Sequence, residues 1–139
     1  MRAAARGMAV VLPVLLLTAC SGERDEVATS PGPGPWTRLE VEVVAAPGAE
    51  PASWTLTCDP AGGDHPDPQG ACAVLGSDPD PLAALPDDVV CTELYGGPQT
   101  AVVQGTRAGR EVTLELSRTD GCRTEQWDRL VPLVPAGGA

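Results

Sequence analysis

The 139-residue chain contains no Phe and no Lys, and only one Tyr and one His. Without Phe, the interior has to be built from Val, Leu and Ala, with three Trp as the large aromatics. Without Lys, every basic side chain is Arg, and nine of them face nineteen Asp and Glu for a net charge of −10. Such a surface repels phosphates and anionic headgroups, so neither nucleic acid nor a bare lipid surface is expected as a direct partner. No Gly-x-Ser-x-Gly occurs, and the lone His65 sits in a turn-rich stretch with no signal for a nucleophile beside it. The expectation is therefore a protein that is not an enzyme and holds no cofactor. No internal repeat is visible, and no apolar run approaches the ~20 residues that a spanning helix requires.

A shorter apolar run is present. Met8 to Leu17 follows Arg2 and Arg6 and ends in Leu17-Thr18-Ala19-Cys20. A basic start, a short apolar core and small residues before a cut describe a signal peptide over residues 1–19, and a cysteine at the cut resembles the bacterial lipobox. Cys20 is then the lipidated residue, and the expected location is the outer face of a bacterial cell membrane as a lipoprotein, or the extracellular space. Residues 20–35 carry Glu23, Arg24, Asp25 and Glu26, then Pro31-Gly32-Pro33-Gly34-Pro35, and read as a tether. With seven Arg against nineteen acids, the mature charge is −12. Residues 36–135 remain for one domain, small enough that covalent staples matter. Cys58, Cys72, Cys91 and Cys122 form an even set in an exported domain, which reads as two disulfides with three pairings open.

Gly and Pro together supply 31 residues, so turns must be frequent. Between them, Trp36, Leu39, Val41 and Val43 alternate with polar neighbours up to Val44, and Trp54, Leu56 and Cys58 do the same, predicting two strands. Gln99–Thr106 and Arg110–Ser117 form a hairpin around Ala108-Gly109, with Ala101, Val103, Val112, Leu114 and Leu116 facing inward. Ala71–Leu75 is a short helical piece. Arg123–Val131 reads as an amphipathic helix with Trp127, Leu130 and Val131 on one side. The intervening Asp59–Gly70 is a loop, and Pro79–Pro86 is irregular. The fold class is α+β, an antiparallel sheet covered by short helices.

Several segments resemble a known family. Leu56-Thr57-Cys58-Asp59-Pro60, Gly63-Asp64-His65-Pro66, Ala71-Cys72, Asp88-Val89-Val90-Cys91-Thr92, Tyr95, Val103, Gly105, Gly109-Arg110 and Cys122 are similar to the subtilisin inhibitor family of small exported serine protease inhibitors. The resemblance implies a five-stranded antiparallel sheet with two short helices, although the tail after Trp127 is short and broken by proline as a source of the fifth strand. It also implies disulfides Cys58–Cys72 and Cys91–Cys122, whose closed loops would stabilise by roughly 3 and 4 kcal/mol. The reactive loop would comprise Val90, Cys91, Thr92, Glu93, Leu94 and Tyr95, with the scissile bond between Glu93 and Leu94. Glu93 stands where Met or Lys is familiar, and Gly96-Gly97-Pro98 replaces a tighter turn. The expected function is inhibition of a subtilisin-like or glutamate-preferring serine protease. The alternative is a non-inhibitory cell-surface binding module on the same scaffold, and a homodimer stays open.

Two patterns with metal-ligand residue types have simpler explanations. His65 near Cys58 and Cys72 has zinc-binding residue types, but disulfides make better use of the cysteines, and a hydrogen bond within the Gly63–Pro66 turn accounts for the ring. Asp59, Asp64, Asp67, Asp78 and Asp80 fit no calcium-loop spacing and are explained as turn formers. No metal is expected.

Overall fold

The structure, a computed structural model, describes residues 36–78 and 80–136. The signal peptide, Cys20 and the tether expected upstream lie outside the described residues. Strands β1 (Thr37–Val44), β2 (Ala52–Cys58), β3 (Gly62–Gly63), β4 (Thr100–Arg107) and β5 (Arg110–Ser117) form one antiparallel sheet in the order β3-β2-β1-β4-β5. Helices α1 (Pro68–Ser77) and α2 (Gly121–Arg129) complete the domain. Among the described residues, no helix is long and apolar enough to cross a membrane.

The alternation of β1 fixes the layers. Thr37, Leu39, Val41 and Val43 are buried while Arg38, Glu40 and Glu42 are exposed. Successive side chains on a strand point to opposite faces, so one face of the sheet is apolar and the other stays in water. Leu56, Ala101, Val103, Leu114 and Leu116 extend the apolar face, and α1 adds Ala71 and Leu75 while α2 adds Trp127. Each fully buried Leu or Val here contributes about 1.5–3 kcal/mol. β4 and β5 close on Arg107 opposite Arg110, leaving Ala108 and Gly109 as a two-residue turn with φ of 49° and 77°. Both values lie in the left-handed region that such hairpin turns demand.

The sheet has two unlike ends. Thr37, where the chain enters β1, pairs with Cys58 and lies beside Arg38, which pairs with Thr106. At the other end Val44 pairs with Thr100, which in turn pairs with Ser117. The loop between α1 and β4, and the β5–α2 connection, both meet the sheet at this second end.

The elements depart from the sequence expectation in four places. The fifth strand is the pair Gly62–Gly63 on the edge of β2, inside the expected Asp59–Gly70 loop and not in the tail. The tail makes turns that drive Leu130, Leu133 and Val134 into the core at 1% exposure or less. Both helices begin earlier than their apolar residues suggest, because each has an aspartate cap. Asp67 accepts from the Gly70 N–H at 2.9 Å ahead of Pro68, and Asp120 accepts from the Arg123 N–H at 3.0 Å. α2 also stops at Arg129, so Leu130 and Val131 follow it. Trp127 is fully buried, its indole N–H donating to the Pro135 carbonyl at 3.0 Å, whereas Trp36 and Trp54 are only half-buried.

The His65 ring does not bond within the Gly63–Pro66 turn as expected, but reaches outside it. It is buried, Nε2 donates to the Leu133 carbonyl at 3.0 Å, and Nδ1 accepts the Asp67 N–H at 3.1 Å. A carbonyl can only accept and a backbone N–H can only donate, which places the ring proton on Nε2. The ring thereby joins the tail to the start of α1, with Trp54 edge-on at 6.1 Å. Neighbouring Asp64 accepts from both the backbone N–H and the hydroxyl of Thr55, the latter at 2.8 Å. These bonds hold its carboxyl below the ordinary aspartate value.

Candidate functional site

The exposed large apolar side chains concentrate in one segment. Val89, Val90, Leu94 and Tyr95 are 43%, 95%, 69% and 66% exposed, and all four lie within seven residues of the α1–β4 connection. Water-facing apolar groups gathered in this way mark a surface meant for a partner. Glu93 and Thr92 are exposed between them, and Cys91 is half-buried.

The first turn of α2 and the residue that follows β5 hold this segment at two points. Upstream, Cys91 is bonded to Cys122 with their α-carbons 5.3 Å apart, and the Thr92 carbonyl accepts the Gly121 N–H at 2.9 Å. Downstream, the Gly96 N–H donates to the Arg118 carbonyl at 2.7 Å, and Arg118 Nε donates back to the Gly96 carbonyl at 3.3 Å. Between these clamps Glu93, Leu94 and Tyr95 take no hydrogen bond from other described residues. Their main chain is free to pair with a partner's. The second disulfide, Cys58–Cys72, lies elsewhere and ties the end of β2 to α1 with α-carbons 5.8 Å apart.

The clamps are themselves supported. Arg118 NH1 pairs with Asp128 at 2.9 Å and its guanidinium lies 5.8 Å from the centre of the Trp127 ring. Asp120 bonds the Arg123 N–H and guanidinium, which holds its carboxyl below the ordinary value and fixes the start of α2 beneath Thr92. Gly96 has a steric reason to be glycine, since a β-carbon would come within 3.3 Å of the Arg118 β-carbon and press on Thr124. It therefore serves the loop's own packing as well as the turn read from the sequence.

What the arrangement can do is hold an exposed peptide segment in place at both ends. Leu94, Tyr95, Gly96 and α2 residues Thr124 and Glu125 border a shallow groove of about 470 Å³ beside it. A second concavity, of about 620 Å³, lies on the polar face of the sheet among Arg38, Glu40, Gln104 and Thr113, away from this segment. Asp120 approaches Cys91 and Cys122, but the disulfide leaves no thiolate there to bind a metal. His65 has both ring nitrogens committed.

The residues read from the sequence, Val90 to Tyr95, therefore lie together on one clamped projection. Sequence reading missed Arg118, Asp120 and Gly121. The run Ser117-Arg118-Thr119-Asp120-Gly121 before Cys122 is rich in turn and cap formers, and that was the available signal.

This chain is similar to known protease inhibitors. The family model described as subtilisin inhibitor-like matches residues 37–119. Subtilisin inhibitor-like protein 1 of Streptomyces cacaoi is 42% identical over 77 residues, which is 52% of this chain and 69% of that protein. Protease inhibitor SIL-V5 of Streptomyces luteoverticillatus is 39% identical over 72 residues, 49% of this chain and 66% of its own length. Among solved structures, Streptomyces caespitosus sermetstatin in complex with Bacillus licheniformis subtilisin aligns with a TM-score of 0.45 at 24% identity, covering 70% of this chain and 98% of the other.

Proposed function

The chain belongs to the subtilisin inhibitor-like family, and we propose that it inhibits a serine endopeptidase by offering Val90–Tyr95 as a substrate that is held instead of released. The reactive bond is Glu93–Leu94. The observation that supports this reading is the stretch Glu93-Leu94-Tyr95, exposed and unpaired, between a disulfide on one side and the Gly96–Arg118 contacts on the other.

A protease cleft binds an extended segment through main-chain hydrogen bonds and takes alternate side chains into pockets. A loop already fixed in that shape loses little conformational freedom on binding, so more of the contact energy appears as affinity. Glu93 fills the primary pocket, Thr92 and Val90 lie on the upstream side, and Leu94 and Tyr95 lie on the leaving side. The domain supplies no catalytic group. The serine that attacks the Glu93 carbonyl, and the histidine that moves the proton, belong to the target. A carboxylate at position 93 suits a glutamate-preferring enzyme, whose pocket carries positive charge or donors, and lowers affinity for an apolar subtilisin-like pocket.

We extend the reading to export. Two disulfides require an oxidising compartment, and the sequence up to Cys20 supplies a route to one. Cys20 is lipidated and holds the protein at the outer face of the cell membrane. Detergent partitioning of the wild type and Cys20→Ser tests the anchor, and a wild type recovered from the medium without lipid would refute it.

The test of function is a set of inhibition constants for residues 36–139 against subtilisin-like, trypsin-like and glutamate-preferring proteases. After long incubation with an inhibited enzyme, the one new amino terminus should be Leu94. A cut elsewhere rejects this loop. No binding to any enzyme of the panel rejects inhibition in favour of a binding module.

A further inference from the structure

The two halves of the loop are held by different chemistry. On the acyl side of Glu93–Leu94 the anchor is covalent, because Cys91 is joined to Cys122. On the amine side there is no covalent anchor close by. Leu94 and Tyr95 run free to Gly96, and Gly96 is held by hydrogen bonds to one residue, Arg118. That residue is unusually well fixed for an arginine. Its side chain is 12% exposed, paired with Asp128 and set over the Trp127 ring, so it loses little rotamer freedom by holding Gly96. Its carbonyl also accepts from the Thr124 hydroxyl at 3.4 Å, the same Thr124 that packs against Gly96.

This asymmetry matters after the first chemical step. When the protease serine oxygen bonds to the Glu93 carbonyl carbon, the C–N bond to Leu94 breaks and the Leu94 amine takes up the proton. Two fates follow. The deprotonated amine can attack the acyl carbon, expelling the serine oxygen with its proton and restoring the loop. Otherwise water attacks the acyl carbon and the serine oxygen leaves with a proton, giving Glu93 a main-chain α-carboxylate and a cut inhibitor. The balance depends on the effective concentration of the Leu94 amine at the acyl carbon, which falls steeply once its tether loosens. The disulfide has no hold on that amine.

We infer that Arg118 is the positioning residue for the leaving half of the loop, keeping Leu94 in place for rejoining and so deciding whether the segment behaves as an inhibitor or as a substrate. The inference rests on the reactive-bond assignment above. It is separate from tight binding as such, since it concerns what happens once the bond is open.

Residues 36–139 are incubated with a small amount of whichever protease the wild type inhibits, and two quantities are followed: the rate at which cut inhibitor accumulates, and the final ratio of cut to intact chain. Arg118→Met, which keeps the length and loses the donors, should be cleared about tenfold faster, with the ratio shifted towards cut. Arg118→Lys should recover part of the effect. Gly96→Ala disturbs the same contact from the loop side, leaves the Arg118–Asp128 pair intact, and should act like Arg118→Met, which covers the case in which that variant folds poorly. Arg110→Met, at the far end of β5, should match the wild type. Val134→Ala, a buried change remote from the loop, supplies a destabilised comparator. If Arg118→Met and Gly96→Ala are cleared at the wild-type rate, or no faster than a comparator of equal melting temperature, Arg118 is only structural and the inference fails while the inhibitory loop stands. A wild type that no protease binds or cuts overturns both.

Discussion

The Thr92 carbonyl and the Gly121 N–H meet at 2.9 Å, and the Gly121 α-carbon lies so close to the Thr92 hydroxyl that no side chain fits between them. The residue before Glu93 is thus set by the first turn of a helix that is far from it in sequence. Gly121→Ala should push Thr92 outward and misplace the Glu93 carbonyl. Because misplacement by about 1 Å can cost up to 10²-fold in a well-aligned site, inhibition should weaken at least tenfold. The melting temperature should change far less. Paired inhibition and melting measurements check this, and equal losses in both would show that Gly121 matters only to folding.

The two disulfides should separate in their effects. Replacing Cys91 and Cys122 together by Ser should abolish inhibition even at temperatures where the sheet survives, because the upstream clamp is lost. Replacing Cys58 and Cys72 should cost about 3 kcal/mol of stability by loop entropy and spare the inhibition constant while the domain is folded. Denaturant titration and inhibition assays on the two double variants decide the matter, and similar inhibition by both would remove the Cys91–Cys122 bridge from the mechanism.

Position 93 should discriminate between targets. Against enzymes with an apolar primary pocket, Glu93→Gln and Glu93→Met should both tighten inhibition, since a carboxylate is costly to take out of water without a partner. Against a glutamate-preferring protease the order should reverse, with the wild type binding best. Inhibition constants for the three proteins against both enzyme classes would show it. Constants independent of residue 93 for every enzyme would move the contact away from this loop.

Acid should weaken the domain through its turn carboxylates. Hydrogen bonds from the Thr55 N–H and hydroxyl hold the Asp64 carboxyl below its ordinary value, and the Arg123 N–H does the same for Asp120. A carboxyl that is more acidic in the folded than in the unfolded chain adds stability that is complete above the unfolded value, about 3.9, and fades as pH falls through the lower folded one. These two groups therefore leave stability level between pH 7 and 5 and take it away below about pH 4. Thermal melts at pH 7 and pH 3 should show a smaller difference for Asp64→Asn than for the wild type. An unchanged difference would assign the acid sensitivity to other groups.

Much of the sheet was legible because its period was written in side chains. Leu39, Val41 and Val43 alternate with charges, and Ala108-Gly109 interrupts two alternating runs. β3 was not legible, since Gly62 and Gly63 offer no side-chain pattern and become a strand only through the edge of β2. The starts of both helices lie at capping aspartates, outside the apolar residues that carry the helical pattern. Leu133 and Val134 have no period because they reach the core from turns, through contacts with distant elements. For the site, Val90 to Tyr95 came through resemblance, and all of them but the half-buried Cys91 are exposed. Arg118 was invisible for a different reason: an arginine at a strand end reads as a solvated charge, and only the return of a loop more than twenty residues upstream gives it Gly96 to hold.

The unlike ends of the sheet have one further consequence. Thr37 opens β1 at one end, whereas Ser117 and the connection that carries the loop lie at the other. An eight-residue strand separates them by roughly 25 Å. Any attachment made upstream of Thr37, whether an acyl chain, a fusion partner or a solid support, meets the domain at the pole opposite Glu93–Leu94. A protein immobilised by that end leaves the exposed Val89–Tyr95 segment on the side away from the point of attachment, where a partner can reach it without passing between the domain and its support.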